Sequence, residues 1–228
     1  MLKKILLGAL SSILTFVLIV PAWAGDKQKD EDTLKNAAVV LQEVLNGNKI
    51  PQDVLSKADC VIVLPNVKKF GVGFGATGGR GAMTCREGEN FAGKWSAPAM
   101  YSIGGGSIGA QIGGTSTDFV LLVMGQKGVD AILQDKTKLG SDASAAAGPS
   151  SASSTTTQVG GADIYTYARS KGLFAGVSIE GATLHQDVDA NKRLYGKKAS
   201  AREIVREGGM EVTAGGEPLV SLLNKQPK

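Results

Sequence analysis

The chain is poor in the residues that build metal and nucleic-acid sites. It has one histidine, His185, and two cysteines, Cys60 and Cys85, among 228 residues. These three side chains cannot supply a four-ligand zinc site, and no C-x-x-C pair is present. The formal net charge is only +4, whereas nucleic-acid-binding domains carry strong basic patches. We therefore expect no metal, no cofactor and no nucleic-acid partner.

Long apolar runs are also scarce, and the one at the start of the chain is short. Two lysines precede the apolar residues 5–20, and Ala22-Trp23-Ala24 follows them. A positive start, an apolar stretch and a small-x-small end are typical of a secretory signal peptide. A transmembrane anchor, the alternative, needs ~20 apolar residues. We predict a signal peptide at 1–24 and an exported chain, 25–228, that is periplasmic or secreted.

The sequence does not decide whether the two cysteines form a disulfide. In an exported protein Cys60 and Cys85 can form a disulfide, provided that the fold brings their Cα atoms within about 7 Å. The alternative is two buried thiols in adjacent strands.

Glycine is what the chain has in excess, with 31 residues. In two stretches, 71–76 and 108–113, glycine alternates with apolar residues. Successive side chains of a strand point to opposite faces, so one face of each strand is nearly bare and another backbone layer can approach it. We expect structural glycines that tolerate no large side chain at four positions: Gly73, Gly75, Gly109 and Gly113.

Two enzyme motifs overlap these strands. Residues 73–78 fit the dinucleotide-binding G-x-G-x-x-G, and residues 105–109 fit the G-x-S-x-G of serine hydrolases, with Ser107 as the nucleophile. The first motif needs a helix directly after it, and the second needs a strand-to-helix turn. Strand-like sequence follows both, so no catalytic residue is assigned. Because His185 follows Ser107 in the Ser–Asp–His order of α/β-hydrolases, a hydrolase centred on Ser107 remains an alternative.

The remaining patterns predict a single α+β domain. Asp32 or Thr33 begins a helix that ends at Asn46-Gly47, with an apolar stripe that packs in the core. Further elements follow from periodicity, capping and composition: a short helix after Pro51, a strand at 60–65 closed by Pro65-Asn66, a strand at 117–124 buried on both faces, a helix at 128–140 stopped by Gly140, a small polar stretch at 141–160, a helix capped by Ser200, and an end at 217–228 that forms one amphipathic turn or frays. We predict a curved, mainly antiparallel, glycine-rich, barrel-like sheet with helices at the N- and C-terminal ends.

Three stretches resemble the SYLF domain family: "WSAPAMYSIGGGSIGAQIGGTSTDFVLLVM", "LGSDASAAAGP" and "TYARSKGLFAGVSIEGATL". The likeness covers about residues 34–208 and leaves 209–228 as a tail. Family members often have Gly-Pro-Val-Gly-Arg where this chain has residues 148–152, so an arginine that could meet an anionic head group is missing. The resemblance also implies that 141–160 is partly ordered.

Members of the SYLF family occur in actin-patch proteins and phosphoinositide-binding proteins of eukaryotes and in exported bacterial proteins. The resemblance therefore implies lipid binding, with actin binding in fungal members. Because we expect an exported chain, we expect anionic phospholipid or a membrane surface as the partner and do not expect actin. A protein partner stays unknown.

Two clusters of basic residues could meet an anionic surface, where each cation contributes about 1 kcal/mol. The candidate residues of the first cluster are Lys192, Arg193, Tyr195, Lys197, Lys198 and Arg202. Those of the second cluster are Arg169, Lys171 and Phe174. Both clusters could also be ordinary solvated faces. The sequence thus favours a non-catalytic module that binds anionic phospholipid or a similar amphiphile, with a structural or protein-interaction module as a further alternative to the hydrolase.

Overall fold

The computed structural model describes residues 22–149, 162–170 and 173–226, and for 22–25, 70–74 and 107–113 it describes the backbone alone. The elements follow in chain order: α1 Ala22–Asn46, α2 Gln52–Ser56, β1 Cys60–Cys85, β2 Ala99–Val123, α3 Gly125–Ile132, β3 Lys136–Lys138, β4 Ala145–Ala147, β5 Ile164–Ser170, β6 Leu173–Gly176, β7 Thr183–Gln186, α4 Val188–Tyr195, α5 Ala201–Val205 and α6 Glu217–Asn224. The predicted fold class is confirmed: one α+β domain with a curled, mainly antiparallel half-barrel sheet and helices at both ends.

Two long strands form the body of the sheet. β1 and β2 pair antiparallel from Cys60 opposite Val123 to Met83 opposite Ala99. The predicted end of the first strand at Pro65-Asn66 is wrong, because the pairing shifts there and then continues. Such a β-bulge accommodates Pro65, which has no N–H to donate, and Asn66 takes a positive φ of 54°.

The β1–β2 ribbon curls until the two ends of β1 meet. Cys60 and Cys85, the first and last residues of β1, form a disulfide. The two parts of β1 approach each other closely at Gly81. A Cβ there would collide with the carbonyl oxygen of Val63 and lie 2.7 Å from the Cα of Leu64. A residue without a side chain is therefore required at this point of the curl.

The glycines that the alternation singled out lie in the paired strands, but their surroundings fall outside what the structure describes. Gly75 is opposite Ser107, and Gly113 is opposite Gly71. Gly73 and Gly109 fall where the register shifts. The expectation that these four positions tolerate no side chain stays a prediction, whereas Gly81 shows a close approach directly.

Near the first and last residues of β1 and β2, the ribbon is buried on both faces. On the inner face, β2 contributes Phe119, Leu121 and Val123 to a core that α3 and α5 complete. On the outer face, Val120 and Leu122 join a second core with α1, α2, α4 and α6. The burial predicted for both faces of 117–124 is what these cores show.

Several predicted helix boundaries are wrong. α1 begins at Ala22 rather than at Asp32 or Thr33, although its apolar stripe is buried as expected. α3 ends at Ile132 rather than at Gly140, because 136–138 pairs with β7 as strand β3. The C-terminal end forms α6, which buries three apolar side chains against the outer core.

Of the stretch 141–160, the structure describes residues 141–149, which contain β4, a strand that runs parallel to β5. Asp163 fixes the start of both strands by accepting hydrogen bonds from the Ser144 backbone N at 2.9 Å and the Ser144 hydroxyl at 2.7 Å. Lys127 adds an ion pair at 3.1 Å. Burial of Asp163 opposes ionisation, but these donors outweigh it and lower the pKa of the carboxyl group.

The last predicted helix start is correct, since Ser200 and Glu203 form a reciprocal capping box on α5. Among the described residues, no helix is both long enough and apolar enough to cross a membrane.

Candidate functional site

The first predicted basic cluster lies on helix α4, on the two lysines that follow its end and on Arg202 of α5, and its members face different surroundings. The Asp187 side chain caps the helix by accepting a hydrogen bond from the Ala190 N at 3.0 Å, and Gly196 ends it in a left-handed conformation. Ala190 and Leu194 are buried, so α4 packs on the body and only its outer side meets solvent.

Arg193 lies on the side of α4 that faces α1, in a partly buried ionic network around the carboxylate of Asp30. It donates to the fully buried carboxylate of Asp30 in α1, at 2.7 and 3.3 Å. Arg80 of β1 donates to Asp30 at 2.6 Å and to Asp187 at 2.9 Å. The hydrogen bond with Asp30 raises the pKa of Arg193. The network joins α1, β1 and α4, so Arg193 acts in the structure rather than at the surface.

Tyr195 and Arg202 also have partners within the chain. The Tyr195 hydroxyl donates to the Pro98 carbonyl oxygen at 2.5 Å, and burial raises the pKa of this phenol. Arg202 pairs with Asp130 at 3.4 Å, with about half of each side chain exposed. Tyr195 is therefore turned away from solvent, and Arg202 is already neutralised.

The second predicted cluster is engaged in the same way. Arg169 makes ion pairs with Asp118, at 2.8 Å, and with Glu43 of α1. Phe174 stacks on Tyr167 with ring centroids 5.4 Å apart. Lys171 lies outside the described residues. The exposed group beside this cluster is Leu173, whose relative exposure is 79%.

Three members of the first cluster stay at the surface: Lys192, Lys197 and Lys198. Within the described part of the chain, none of them forms an ion pair. We call these residues the α4 lysine surface. The structure thus leaves three of the nine predicted binding residues as exposed cations without an ion pair in the described residues, and it uses most of the others in packing and ion pairs.

The serine hydrolase hypothesis lacks its essential geometry. The Ser107 backbone lies within β2, opposite Gly75, and strand pairing continues on both sides of it. A nucleophile elbow requires a sharp turn between a strand and a helix. His185 lies in β7, opposite Ser102 and Lys136. Over the residues that the structure describes, no three His, Cys, Asp or Glu side chains gather as metal ligands.

Two cavities lie among the described residues, and none of the three lysines lines either of them. The larger, about 540 Å³, is a groove between α1 and the ribbon, and its arginines, Arg80 and Arg169, are the paired ones described above. The smaller, about 130 Å³, opens on the inner face of the ribbon next to Lys69 and Glu180. Sequence patterns did not indicate either cavity, because the lining residues come from distant parts of the chain.

The fold and the site define a curled-sheet domain with a basic surface and no catalytic geometry at its serine motif. The chain belongs to the Ysc84 family, since the family model, described as "Las17-binding protein actin regulator", matches residues 104–226. The resemblance to the SYLF family is thereby confirmed.

Relatives from fungi and animals are similar over most of this chain. Protein YSC84 of Saccharomyces cerevisiae is 31% identical over 204 residues, which are 84% of this chain and 42% of that protein. LAS seventeen-binding protein 3 of the same species is also 31% identical, over 84% of this chain and 43% of that protein. SH3 domain-containing YSC84-like protein 1 of Homo sapiens is 33% identical over 181 residues, 75% of this chain and 52% of that protein. The chain spans about half the length of these relatives.

The comparisons overturn one expectation about partners. We did not expect actin, because we expected an exported chain. That exclusion is wrong: the matching family is described as an actin regulator, and a relative is named as LAS seventeen-binding. The argument rested on the first 24 residues and not on the binding domain, so it could not exclude a partner of the domain itself. The names describe binding or regulatory proteins and not enzymes.

Proposed function

We propose that this chain is a non-catalytic binding module that recognises an acidic face of an actin-type protein through the α4 lysine surface. The family description supports the class of partner. The observation that carries the choice of site is that Lys192, Lys197 and Lys198 are exposed and form no ion pair within the described residues, whereas the neighbouring Arg193 and Arg202 are each paired with a carboxylate of this chain.

Exposed lysines favour a particular kind of binding. Charges at the rim of an interface mainly accelerate association and select partners of opposite sign. Their effect is screened by salt over ~8–10 Å at 0.1–0.15 M. Binding through this surface should therefore weaken as salt rises.

Co-sedimentation with actin filaments, at low and at moderate salt, tests the proposal. Changing Lys192, Lys197 and Lys198 together to Gln should weaken binding about tenfold at low salt, from about 0.5 kcal/mol for each exposed pair. The matched control changes three exposed lysines elsewhere to Gln, at positions 49, 57 and 94. Equal losses in both triple variants would show that net charge, and not this surface, controls binding.

A second candidate partner is an anionic phospholipid surface. Its specific support is Leu173, an exposed apolar side chain at the start of β6, since an amphipathic contact with a membrane needs an apolar group as well as cations. Flotation with liposomes rich in anionic lipid tests it with the same two triple variants and Leu173→Ser. Failure of the parent chain to float at low salt would rule out this partner.

The compartment in which the module works is a separate proposal. We propose that residues 1–24 are a cleaved signal peptide, as their pattern supports. In the periplasm or outside the cell the module would meet the anionic lipid surface, whereas an actin-type partner requires a chain that keeps these residues and stays inside the cell. N-terminal sequencing of the protein from fractionated cells should find Gly25 as the first residue. An intact Met1 in the cytosolic fraction would contradict it.

A further inference from the structure

The smaller cavity, here called the inner pocket, has an apolar floor and a polar rim. Ile103 and Phe119 form the floor, with relative exposures of 3% and 4%. Ile179 and Ala182, from the connection between β6 and β7, form one wall. The polar rim is made of four side chains: Lys69, Thr77, Ser178 and Glu180.

The wall of the inner pocket is held in place by the turn after β3. The Leu139 N donates to the Ala182 carbonyl oxygen at 2.9 Å, and the Gly181 N donates to the Leu139 carbonyl oxygen at 2.8 Å. The Ala182 N closes a tight turn on the Ile179 carbonyl oxygen at 3.2 Å. The pocket is therefore formed before any ligand enters it.

The space itself exists because Gly105 has no side chain. Gly105 lies opposite Thr77 in the ribbon, and a Cβ on it would reach 3.4 Å from the Ala182 Cα. Side chains alternate along a strand, so Ile103 and Gly105 share the pocket face and Gly104 faces away from it. A larger residue at position 105 would fill the pocket.

The polar side chains of the rim are available to a ligand, unlike the arginines of the larger groove between α1 and the ribbon. Lys69, Thr77, Ser178 and Glu180 hold no hydrogen bond or ion pair with another residue in the described ranges, and Lys69 is half-buried. Arg80 and Arg169 of the groove, in contrast, are each paired with two carboxylates. One free cation and one free anion beside the same small cavity favour a ligand that carries both charges, because a simple anion would be repelled by Glu180.

The volume limits the size of the ligand. About 130 Å³ corresponds to roughly four water molecules at ~30 Å³ each, well below the ~300 Å³ of pockets for drug-sized ligands. An apolar group of about four heavy atoms fits this space, and a whole phospholipid does not.

We propose that the inner pocket binds a small apolar α-amino acid, with leucine as the type. The ligand carboxylate pairs with Lys69 and its ammonium with Glu180, and the hydroxyls of Thr77 and Ser178 complete the hydrogen bonding. The ligand side chain packs on the apolar floor. This site is separate from the α4 lysine surface, so the proposal stands independently of the partner that the surface binds.

Titration of the purified chain by NMR or calorimetry tests the chemistry. Leucine should bind saturably, with a Kd on the order of 1 mM or lower. Three analogues each remove one group: 4-methylpentanoate lacks the ammonium, 3-methylbutylamine lacks the carboxylate, and glycine lacks the side chain. Each should bind about tenfold or more weakly, the loss expected for one charged hydrogen-bonding group or the apolar contact.

Variants locate the binding. Lys69→Met and Glu180→Gln should each weaken leucine binding about tenfold. Gly105→Ala should weaken it by occupying the pocket, whereas Gly104→Ala, its matched control on the opposite face, should bind leucine like the parent. Thermal melts confirm that each variant is folded.

Three results would overturn the proposal. The first is no saturable leucine binding up to about 10 mM. The second is equal binding of leucine and 4-methylpentanoate with Glu180→Gln unaffected, which would show a pocket for simple carboxylates. The third is leucine binding that neither Gly105→Ala nor Lys69→Met changes, which would place the ligand elsewhere.

Discussion

Gly81 is the position where the curl of the ribbon should be most sensitive to an added side chain. The atoms that a Cβ would meet are backbone atoms of the facing part of β1, the Val63 carbonyl group and the Leu64 Cα. Backbone in a paired, buried strand cannot rotate away as a flexible side chain can. Gly78, three residues earlier in β1, has no atom within 4 Å of its Cβ position and is the matched control.

The expected cost of Gly81→Ala follows from this difference. Overpacking costs about 1–3 kcal/mol, and we expect about 3 kcal/mol here because only backbone can give way. At about 2–4 °C for each kcal/mol in a domain of this size, the melting temperature should fall by about 6–12 °C. Gly78→Ala should stay within about 0.5 kcal/mol of the parent, as at an ordinary surface position.

Calorimetric melts of the parent and the two variants give both values directly. A Gly81→Ala chain that melts within about 1 °C of the parent would refute the close approach of the two parts of β1. Equal destabilisation by both substitutions would refute it as well, since the cause would then be a general need for glycine flexibility in this strand.

Three further variants test how the domain is held together. Asp30→Asn should cost about 2–4 kcal/mol, because it leaves two arginines without their buried partner, and hydrogen exchange should accelerate in α1. Replacing Cys60 and Cys85 by Ser should lower the free energy of unfolding by about 3 kcal/mol, through the chain entropy of a 25-residue loop. The parent chain should lose the same stability when it is unfolded, reduced and refolded with reductant present. The folded-state pKa of Asp163 is lowered. Its contribution to stability is therefore present above the ordinary pKa of about 3.9 and is lost as pH falls through the folded value. In Asp163→Asn, the free energy of unfolding from denaturant titrations should fall less steeply with acid, and an unchanged pH dependence would contradict the assignment.

Local patterns in the sequence predicted the elements whose packing depends on near neighbours. The stripe of α1 and the doubly buried strand at 117–124 follow from periodicity, and the capping box of α5 follows from Ser200 and Glu203. The start of α1 could not be predicted in this way. Asp30 is held by Arg80 and Arg193, which are 50 and 163 residues away, and these contacts extend the helix beyond its apparent cap.

The same limitation explains the missed strand β3 and the missed pockets. Residues 136–138 continue a helical pattern locally, but pairing with β7 makes them a strand. Likewise, Thr77 and Gly105 meet only because β1 and β2 form one ribbon in this register. Composition and spacing along the chain carry no information about such cross-strand neighbours, so the inner pocket could be found only from the structure.

The basic clusters show why arginine and lysine deserve different weights when a binding surface is predicted from sequence. Every arginine of the two predicted clusters has a carboxylate partner: Arg169 with Asp118 and Glu43, Arg193 with Asp30, and Arg202 with Asp130. The guanidinium group is planar and presents five donors, which suits internal pairs with carboxylates, whereas the strongly hydrated ammonium of lysine stays in water. In this chain the lysines of the first cluster are exposed and form no ion pair within the described residues, whereas Arg193 is half-buried on Asp30 and the exposed Arg202 is paired with Asp130. A cluster that is rich in lysine is therefore the better indication of a surface that meets a partner, and here it reduces six candidate residues to the three exposed lysines that form no ion pair within the described residues.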